Sequence, residues 1–221
     1  MAEELAALIR AAEEAWLEHW KRGPTRTRVA NAPQIGDRAP DVELEDQTGE
    51  IVRLGSFWRN GPALLLFWRH YGCGCGLDRT KRLQREHADY VAAGAAVVII
   101  GQGEPARARA YAEKYGLPPV PILCDPAARA YEAYGLPEAV PAQVLYDAPE
   151  DLQRCELDAG LRFMDARRQM GRPLVDNPWQ LPGEFVVDRA GTIRLTYRYQ
   201  YCEDFPDPRV HLAAIREASR A

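Results

Sequence analysis

The chain has 221 residues, of which 47% are hydrophobic and 27% are charged, and its formal net charge is -4. This size and composition are typical of a globular protein with a sizeable core, and they exclude fibrous and intrinsically disordered chains. The negative net charge excludes the broad basic surface that nucleic-acid binding requires, so no nucleic-acid partner is expected.

The first 34 residues predict an amphipathic helix followed by a polar linker. Apolar residues recur at steps of three or four between Leu5 and Trp20, which is the spacing of one helical face. Gly23 and Pro24 end the pattern. The helix packs either on its own domain or on a second copy of the chain. Its tryptophans would otherwise be exposed, so a homodimer and a monomer with the helix folded back both remain open.

The sequence shows no pattern typical of an export signal or a membrane-spanning segment. Glu3 and Glu4 stand where a secretory signal carries basic and apolar residues. No apolar run reaches the roughly 18 residues that a membrane span needs. Five cysteines are too few and too scattered for a disulfide scaffold. We therefore expect a cytoplasmic protein with no membrane partner.

The middle of the chain alternates strands with helices, which predicts an α/β fold with a partly parallel sheet. A β-hairpin precedes this stretch, and Asp125 with Pro126 is expected to cap its last helix. The predicted elements are a hairpin over 42–54, strands over 63–69, 95–101 and 122–124, and helices over 77–93, 105–115 and 126–134.

The end of the chain predicts a second β-hairpin over 184–201 and a closing helix over 209–220. A βαβ half followed by a hairpin and a helix is the element order of a thioredoxin-like sheet. An insertion over about 136–180, with one helix near 151–170, precedes this hairpin. The predicted fold is α/β and thioredoxin-like. It has a mixed sheet flanked by helices, an N-terminal hairpin and helix, and a helical insertion, with one domain over 35–221.

Cys73 and Cys75 lie in a glycine-rich loop between a buried strand and a helix. The amide groups of a helix's first turn favour an anion, so a thiol there loses its proton more easily. Arg69, His70 and Arg79 are expected to add to this effect. A thiolate is the nucleophile in disulfide exchange and in peroxide reduction. The loop therefore predicts redox chemistry, with an inert loop and a metal site including His70 as alternatives.

Several segments match a known pattern. They are Gly36-Asp37-Arg38-Ala39-Pro40, Arg69-His70-Tyr71-Gly72-Cys73, Gly171-Arg172-Pro173, Asp176-Asn177-Pro178 and Leu181-Pro182-Gly183-Glu184-Phe185-Val186-Val187-Asp188-Arg189-Ala190-Gly191. Over residues 36–215 the chain resembles the alkyl hydroperoxide reductase/thiol-specific antioxidant (AhpC/TSA) superfamily, and its loop is similar to that of the peroxiredoxin-like branch. The resemblance implies a thioredoxin-like fold and a thiol-dependent antioxidant enzyme that reduces hydroperoxides.

The resemblance also implies a mechanism and its partners. Cys73 attacks the hydroperoxide to form a sulfenic acid, and Cys75 or Cys202 condenses with it to a disulfide. A thioredoxin-type protein or a low-molecular-weight thiol is the implied reductant. Neither an organic cofactor nor a metal is implied.

Further candidate residues are a proline, two arginines and a third cysteine. Pro182 aligns with the cis-proline that faces the active-site loop in thioredoxin-like proteins. Arg69 and Arg198 are candidates to orient a peroxide or to neutralise a thiolate. Cys202 follows the last strand, whose C-terminal end lies on the active-site side of such a sheet.

The loop departs from the family pattern in two places. His70 stands where typical peroxiredoxins have Thr, and Gly76 stands where the peroxiredoxin-like branch has a second Cys. Aligning the loop as in thioredoxins changes the register, which leaves the attacking sulfur open between Cys73 and Cys75. A Cys-Gly-Cys disulfide is expected to be an oxidising couple. A dithiol–disulfide oxidoreductase acting on protein thiols, and a non-catalytic redox-sensing module, are therefore the alternatives.

Overall fold

One seven-stranded sheet organises the computed structural model, which describes residues 2–221. The strands are β1 (Glu43–Asp46), β2 (Ile51–Arg53), β3 (Ala63–Phe67), β4 (Ala96–Gly101), β5 (Ile122–Cys124), β6 (Gly183–Val187) and β7 (Ile193–Arg198). The helices are α1 (Ala2–Arg22), α2 (Gly74–Ala92), α3 (Pro105–Tyr115), α4 (Arg129–Ala133), α5 (Pro141–Val144), α6 (Glu150–Gln153), α7 (Leu157–Gln169) and α8 (Pro208–Ala218). None of these helices is long and apolar enough to cross a membrane.

The strand order is β2-β1-β5-β4-β3-β6-β7. Strands β3, β4 and β5 run parallel, whereas β1 pairs antiparallel with β2 and β5, and β6 pairs antiparallel with β3 and β7. The mixed α/β sheet, its N-terminal hairpin and its final hairpin are therefore confirmed. Strand β3 lies inside the sheet, and all five of its residues are buried.

Side chains of β3 supply both faces of the sheet, because successive residues of a strand point to opposite sides. Leu64 and Leu66 join the core under α2, α3 and α8. Leu65 and Phe67 join the opposite core, which contains residues of α4. The loop that follows β3 therefore starts from a strand held on both faces, and this fixes where the two cysteines begin.

Helix α1 folds back onto the same chain. Trp16 and Trp20 are 1% and 2% exposed, and they pack with Trp179 of the insertion in a third core. The rings of Trp16 and Trp20 are stacked at 4.9 Å, and those of Trp20 and Trp179 at 5.4 Å. The argument for a dimer from exposed tryptophans therefore does not apply.

Two sequence-based boundaries need correction. The one helix expected near 151–170 is divided into α6 and α7, because Cys155 between them adopts a left-handed conformation with φ 57°, and the short α5 precedes both. Helix α4 begins at Arg129, three residues later than expected. The carboxylate of Asp125 still serves its N-terminus, accepting hydrogen bonds from the amides of Arg129 and Ala130, while Ala128 turns the chain with φ 54°.

We expect the Trp20→Ala substitution to lower the free energy of unfolding by about 3–5 kcal/mol, because it empties a buried aromatic site. Urea denaturation followed by circular dichroism measures this change. Glu14→Ala on the exposed side of α1 is the matched control, and it should stay within about 0.5 kcal/mol of the native protein. Equal small effects of both substitutions would contradict the packing of α1 on the domain.

Candidate active site

Cys73 and Cys75 lie where β3 passes into α2. Cys73 is the N-cap of α2, and Cys75 belongs to its first turn. The two sulfurs form a disulfide, with 5.4 Å between the Cα atoms. Cys73 is 9% exposed and Cys75 is 4% exposed. The two cysteines singled out from the sequence therefore form a pair, and Cys73 is its more accessible member.

The guanidinium of Arg69 is held against this pair. Its Nη1 lies 3.1 Å from Sγ of Cys73 and 3.8 Å from Sγ of Cys75. Its Nη2 donates to the carbonyl oxygen of Pro178. Burial lowers the pKa of Arg69, but a guanidinium stays protonated in proteins. A fixed positive charge therefore faces both sulfurs.

His70 and Arg79 do not add positive charge to the sulfurs, contrary to the expectation from the sequence. Burial, and after it the charges of Arg69 and Arg167, holds the pKa of His70 well below its ordinary value, so its ring is neutral at pH 7. Its Nδ1 is buried without a hydrogen-bond partner in residues 2–221. The contribution of His70 to the loop is its carbonyl oxygen, which accepts the amide hydrogen of Cys73 at 3.0 Å.

Arg79 forms ion pairs in a buried network and is not directed at the sulfurs. Its Nε lies 2.8 Å from Oε1 of Glu184, and its Nη1 lies 2.9 Å from Oε2 of Glu86. Glu184 also accepts a hydrogen bond from the hydroxyl of Tyr199, and Nε2 of His211 lies 2.5 Å from its Oε2. Burial alone would raise the pKa of Glu184, but Arg79 and then His211 hold it well below its ordinary value.

Two arginines of the insertion approach the loop and were not singled out from the sequence. Nη2 of Arg167 donates to the carbonyl oxygen of Gly72. Nη2 of Arg172 is buried with no hydrogen-bond partner in the described chain, and it lies 3.8 Å from the place where a Cβ of Gly74 would stand. In the sequence, only the Gly171-Arg172-Pro173 motif pointed to Arg172. That this motif lies beside the cysteines depends on the tertiary fold.

Cys202 reaches the same place from the loop after β7. Its side chain forms one buried cluster with Cys73 and Cys75, with Val144 and Phe205 packed against it. Burial raises the pKa of Cys202, and the nearby charge of Arg69 opposes this shift. The expected position of Cys202 on the active-site side is therefore confirmed, while its role stays a prediction.

Pro182 lies near the pair, but in the trans form. It lines a small cavity together with Cys75 and Cys202. No peptide bond in residues 2–221 is cis, so the expected cis-proline is wrong. Pro182 stands just before β6, a position at which a strand accepts proline, and its carbonyl oxygen accepts the amide hydrogen of Tyr199 at 3.3 Å.

The side chain of Arg198 makes its contacts with residues other than the cysteines. Its side chain donates to the carbonyl oxygens of Tyr134 and Pro33, and its guanidinium carbon lies over the ring of Phe185, 5.2 Å from the ring centroid. These contacts tie the final hairpin to the linker and give no support to a role in orienting a peroxide.

A cavity of about 180 Å³ opens onto the disulfide. Cys73, Cys75 and Arg69 line it. The lining also includes an aromatic wall, which consists of Trp16, Trp20, Phe163 and Trp179. Such a cavity admits a small molecule to the sulfurs. Nowhere in residues 2–221 do three or more His, Cys, Asp or Glu side chains form a group that could hold a metal ion.

A family model described as the AhpC/TSA family matches residues 35–196. The chain belongs to the AhpC/TSA family. The match leaves out α1, so the aromatic wall of this AhpC/TSA protein includes residues from outside the matched segment. A thioredoxin-like protein AAED1 of the chloroplast from Arabidopsis thaliana is 28% identical over 97 residues, which cover 44% of this chain and 39% of that protein.

Solved structures show the same fold at low sequence identity. A thiol peroxidase from Chromobacterium violaceum is similar with a TM-score of 0.60 and 17% identity, covering 88% of this chain and 93% of that one. Peroxidoxin BcpB from Mycobacterium tuberculosis is similar with a TM-score of 0.58 and 17% identity, covering 84% of this chain and 97% of that one. The predicted thioredoxin-like fold is therefore confirmed.

We expect Glu184→Gln to cost about 3 kcal/mol or more of unfolding free energy at pH 7, because it removes the more deeply buried of the two carboxylates that pair with the buried Arg79. The pKa of Glu184 is lower in the folded protein, so its contribution is present above the unfolded value of about 4.3. That contribution is lost as the pH falls. The difference between native protein and variant should therefore shrink below about pH 5.

Urea denaturation at several pH values measures this difference. Glu43→Gln is the control, because Glu43 forms an exposed ion pair with Arg53, and it should cost less than about 1 kcal/mol. A difference for Glu184→Gln that stays constant down to pH 3 would contradict the assignment of a lowered pKa.

We expect Arg69→Met to slow alkylation of the reduced pair by iodoacetamide at pH 7 by about tenfold, because removing the cation makes the thiolate less favourable by about one pKa unit. Timed alkylation and mass spectrometry of the peptide that contains Cys73 measure the rate. Arg85→Met, on the exposed face of α2, is the control and should leave the rate unchanged. Equal rates in both variants would show that Arg69 does not act on the sulfurs.

Proposed function

We propose that this protein is a thiol-dependent oxidoreductase that reduces hydroperoxides through Cys73 and Cys75. The supporting observation is that Cys73 stands at the N-cap position of α2 beside the guanidinium of Arg69, lines a cavity and has a second cysteine at disulfide distance. Membership of the AhpC/TSA family, and the thiol peroxidase among the structures of the same fold, favour the same activity.

Cys73 is the proposed attacking residue. It is the more exposed of the pair, and Arg69 lies closer to its sulfur than to that of Cys75. The first-turn amides of α2 and the guanidinium stabilise its thiolate. The thiolate attacks one peroxide oxygen, so that an S–O bond forms and the O–O bond breaks. The electron pair leaves with the other oxygen, which takes a proton from solvent, and Cys73 becomes a sulfenic acid.

Cys75 is the proposed resolving residue. Its thiol attacks the sulfur of the sulfenic acid, the S–S bond forms, and the hydroxyl group leaves with the thiol proton as water. The product is the disulfide present in this structure. An external thiol reductant then attacks Cys73 and, through a mixed disulfide, returns two electrons to the pair. We assign this step to a thioredoxin-type protein or a low-molecular-weight thiol.

Packing gives a physical reason for the Cys-Gly-Cys spacing. A Cβ at Gly76 would stand 3.2 Å from the hydroxyl oxygen of Tyr111 and 3.4 Å from Nε1 of Trp68. A larger side chain at this position would therefore collide with the packed side chains of Tyr111 and Trp68. Cys75, one residue earlier, lines the cavity instead, which makes it the available partner for Cys73.

The activity is tested by adding one equivalent of hydrogen peroxide to the reduced protein. We expect the peroxide to be consumed and the chain to lose the mass of two hydrogens. Cys73→Ser should abolish consumption, whereas Cys75→Ser should react once and gain one oxygen. Cys155→Ser is the control, because Cys155 lies outside the cysteine cluster. Full consumption by Cys73→Ser would reject Cys73 as the attacking residue.

A dithiol–disulfide oxidoreductase is the second candidate, because Arg69 lies within 4 Å of both sulfurs and can stabilise a thiolate on either. In that case the reduced protein would cleave the disulfides of insulin and leave hydrogen peroxide unconsumed. Measuring both reactions on the same reduced sample separates the two functions.

A further inference from the structure

A third sulfur belongs to the site and takes no part in the cycle proposed above. Cys202 is 7% exposed and contacts the cluster that contains Cys73 and Cys75. It is a free thiol in a state in which the other two sulfurs are bonded to each other. A thiol beside a disulfide is the arrangement from which thiol–disulfide exchange starts.

One cation serves all three sulfurs. Arg69 contacts the pair directly, and it lines both of the cavities that Cys202 lines. During an exchange, negative charge moves from the attacking sulfur to the leaving sulfur. Because both ends of that movement lie beside the same guanidinium, the charge stays compensated throughout, which lowers the barrier in a site largely closed to water.

The space around the sulfurs favours Cys75 as the point of attack. A small cavity of about 20 Å³ is lined by Cys75, Cys202 and Pro182, and Cys73 is not part of its wall. This space is about that of one water molecule, so the sulfur of Cys202 has room to approach Cys75. All three cysteines line the larger cavity, from which a substrate would reach Cys73.

Hydrogen bonds fix the backbone at Cys202, while its side chain lines the small cavity. Its amide donates to the carbonyl oxygen of Gln143 at 3.1 Å, and Nε2 of Gln143 donates to the carbonyl oxygen of Gln200 at 2.7 Å. The loop after β7 is thereby fixed to α5. The position of Cys202 beside the pair is a built feature of the fold and does not depend on a freely moving loop.

We propose that Cys202 is a further catalytic residue that exchanges with the oxidised pair and sets Cys73 free. Its thiolate attacks Sγ of Cys75, the Cys75–Cys202 bond forms, and the Cys73–Cys75 bond breaks. The electron pair goes to Cys73, which leaves as a thiolate beside Arg69, and the proton of Cys202 goes to solvent. The exchange involves no net oxidation. It rests on the proposed function, since it follows the formation of the Cys73–Cys75 disulfide.

The exchange gives the chain a capacity for a second hydroperoxide before any reductant arrives. The released thiolate of Cys73 attacks again and becomes a sulfenic acid, while the first oxidising equivalent stays in the Cys75–Cys202 disulfide. An external thiol then condenses with the sulfenic acid, which gives a mixed disulfide and water. The reductant therefore meets an oxidised sulfur at the accessible position.

The test follows the cysteines of the reduced protein after two equivalents of hydrogen peroxide with dimedone present, which traps sulfenic acids. We expect the native chain to consume both equivalents and to carry a Cys75–Cys202 disulfide and a dimedone adduct on Cys73. Cys202→Ser should consume one equivalent and keep the Cys73–Cys75 disulfide. Cys155→Ser is the matched control and should behave as the native chain.

Peptide mapping of the native chain after oxidation by diamide tests the exchange without any hydroperoxide or variant. We expect Cys73 to become open to alkylation while Cys202 becomes protected. If Cys202 stays open to alkylation throughout, or if it pairs with Cys73, the inference is overturned. Failure of the proposed function gives a different result, because hydrogen peroxide would then remain unconsumed while the diamide experiment still reports the exchange.

Discussion

The structure of the site depends on the contact between the guanidinium of Arg69 and the sulfurs. Arg69 lies two residues after the end of β3, and its side chain donates to the carbonyl oxygen of Pro178 in the insertion. A buried cation whose contacts are sulfur and carbonyl atoms costs free energy that an anion would offset. A thiolate at Cys73 supplies that anion. The fold therefore favours the charged form of the residue that is proposed to react.

The insertion and α1 give this AhpC/TSA protein its particular active site. The Asp176-Asn177-Pro178 segment joins three parts of the chain, because Asp176 pairs with Arg107 of α3 and its amide donates to the carbonyl oxygen of Ala12 in α1. Pro178 then reaches Arg69. The insertion thus helps to fix the position of the positive charge at the sulfurs, although it adds no strand to the sheet.

Local pattern predicted most of the fold and the centre of the site. The strands and the larger helices follow from hydrophobic periodicity, and Cys73 and Cys75 follow from their place between a strand and a helix. Arg167 and Arg172 could not be predicted as site residues, because they come close to the cysteine loop only when the insertion folds against it. The neutral state of His70 could not be predicted either. It results from burial of the ring, and the local sequence does not show how deeply a side chain is buried.

Helix α1 has a consequence for how such proteins diversify. It supplies Trp16 and Trp20 to the cavity wall, yet it lies before residues 35–196 that match the family. Part of the wall that shapes access to the sulfurs thus lies outside the segment that carries the reactive loop, while Phe163 and Trp179 of the same wall lie inside it. Substitutions at the cavity-facing side chains of α1 can therefore alter which molecules enter, while the cysteines and Arg69 themselves stay unchanged.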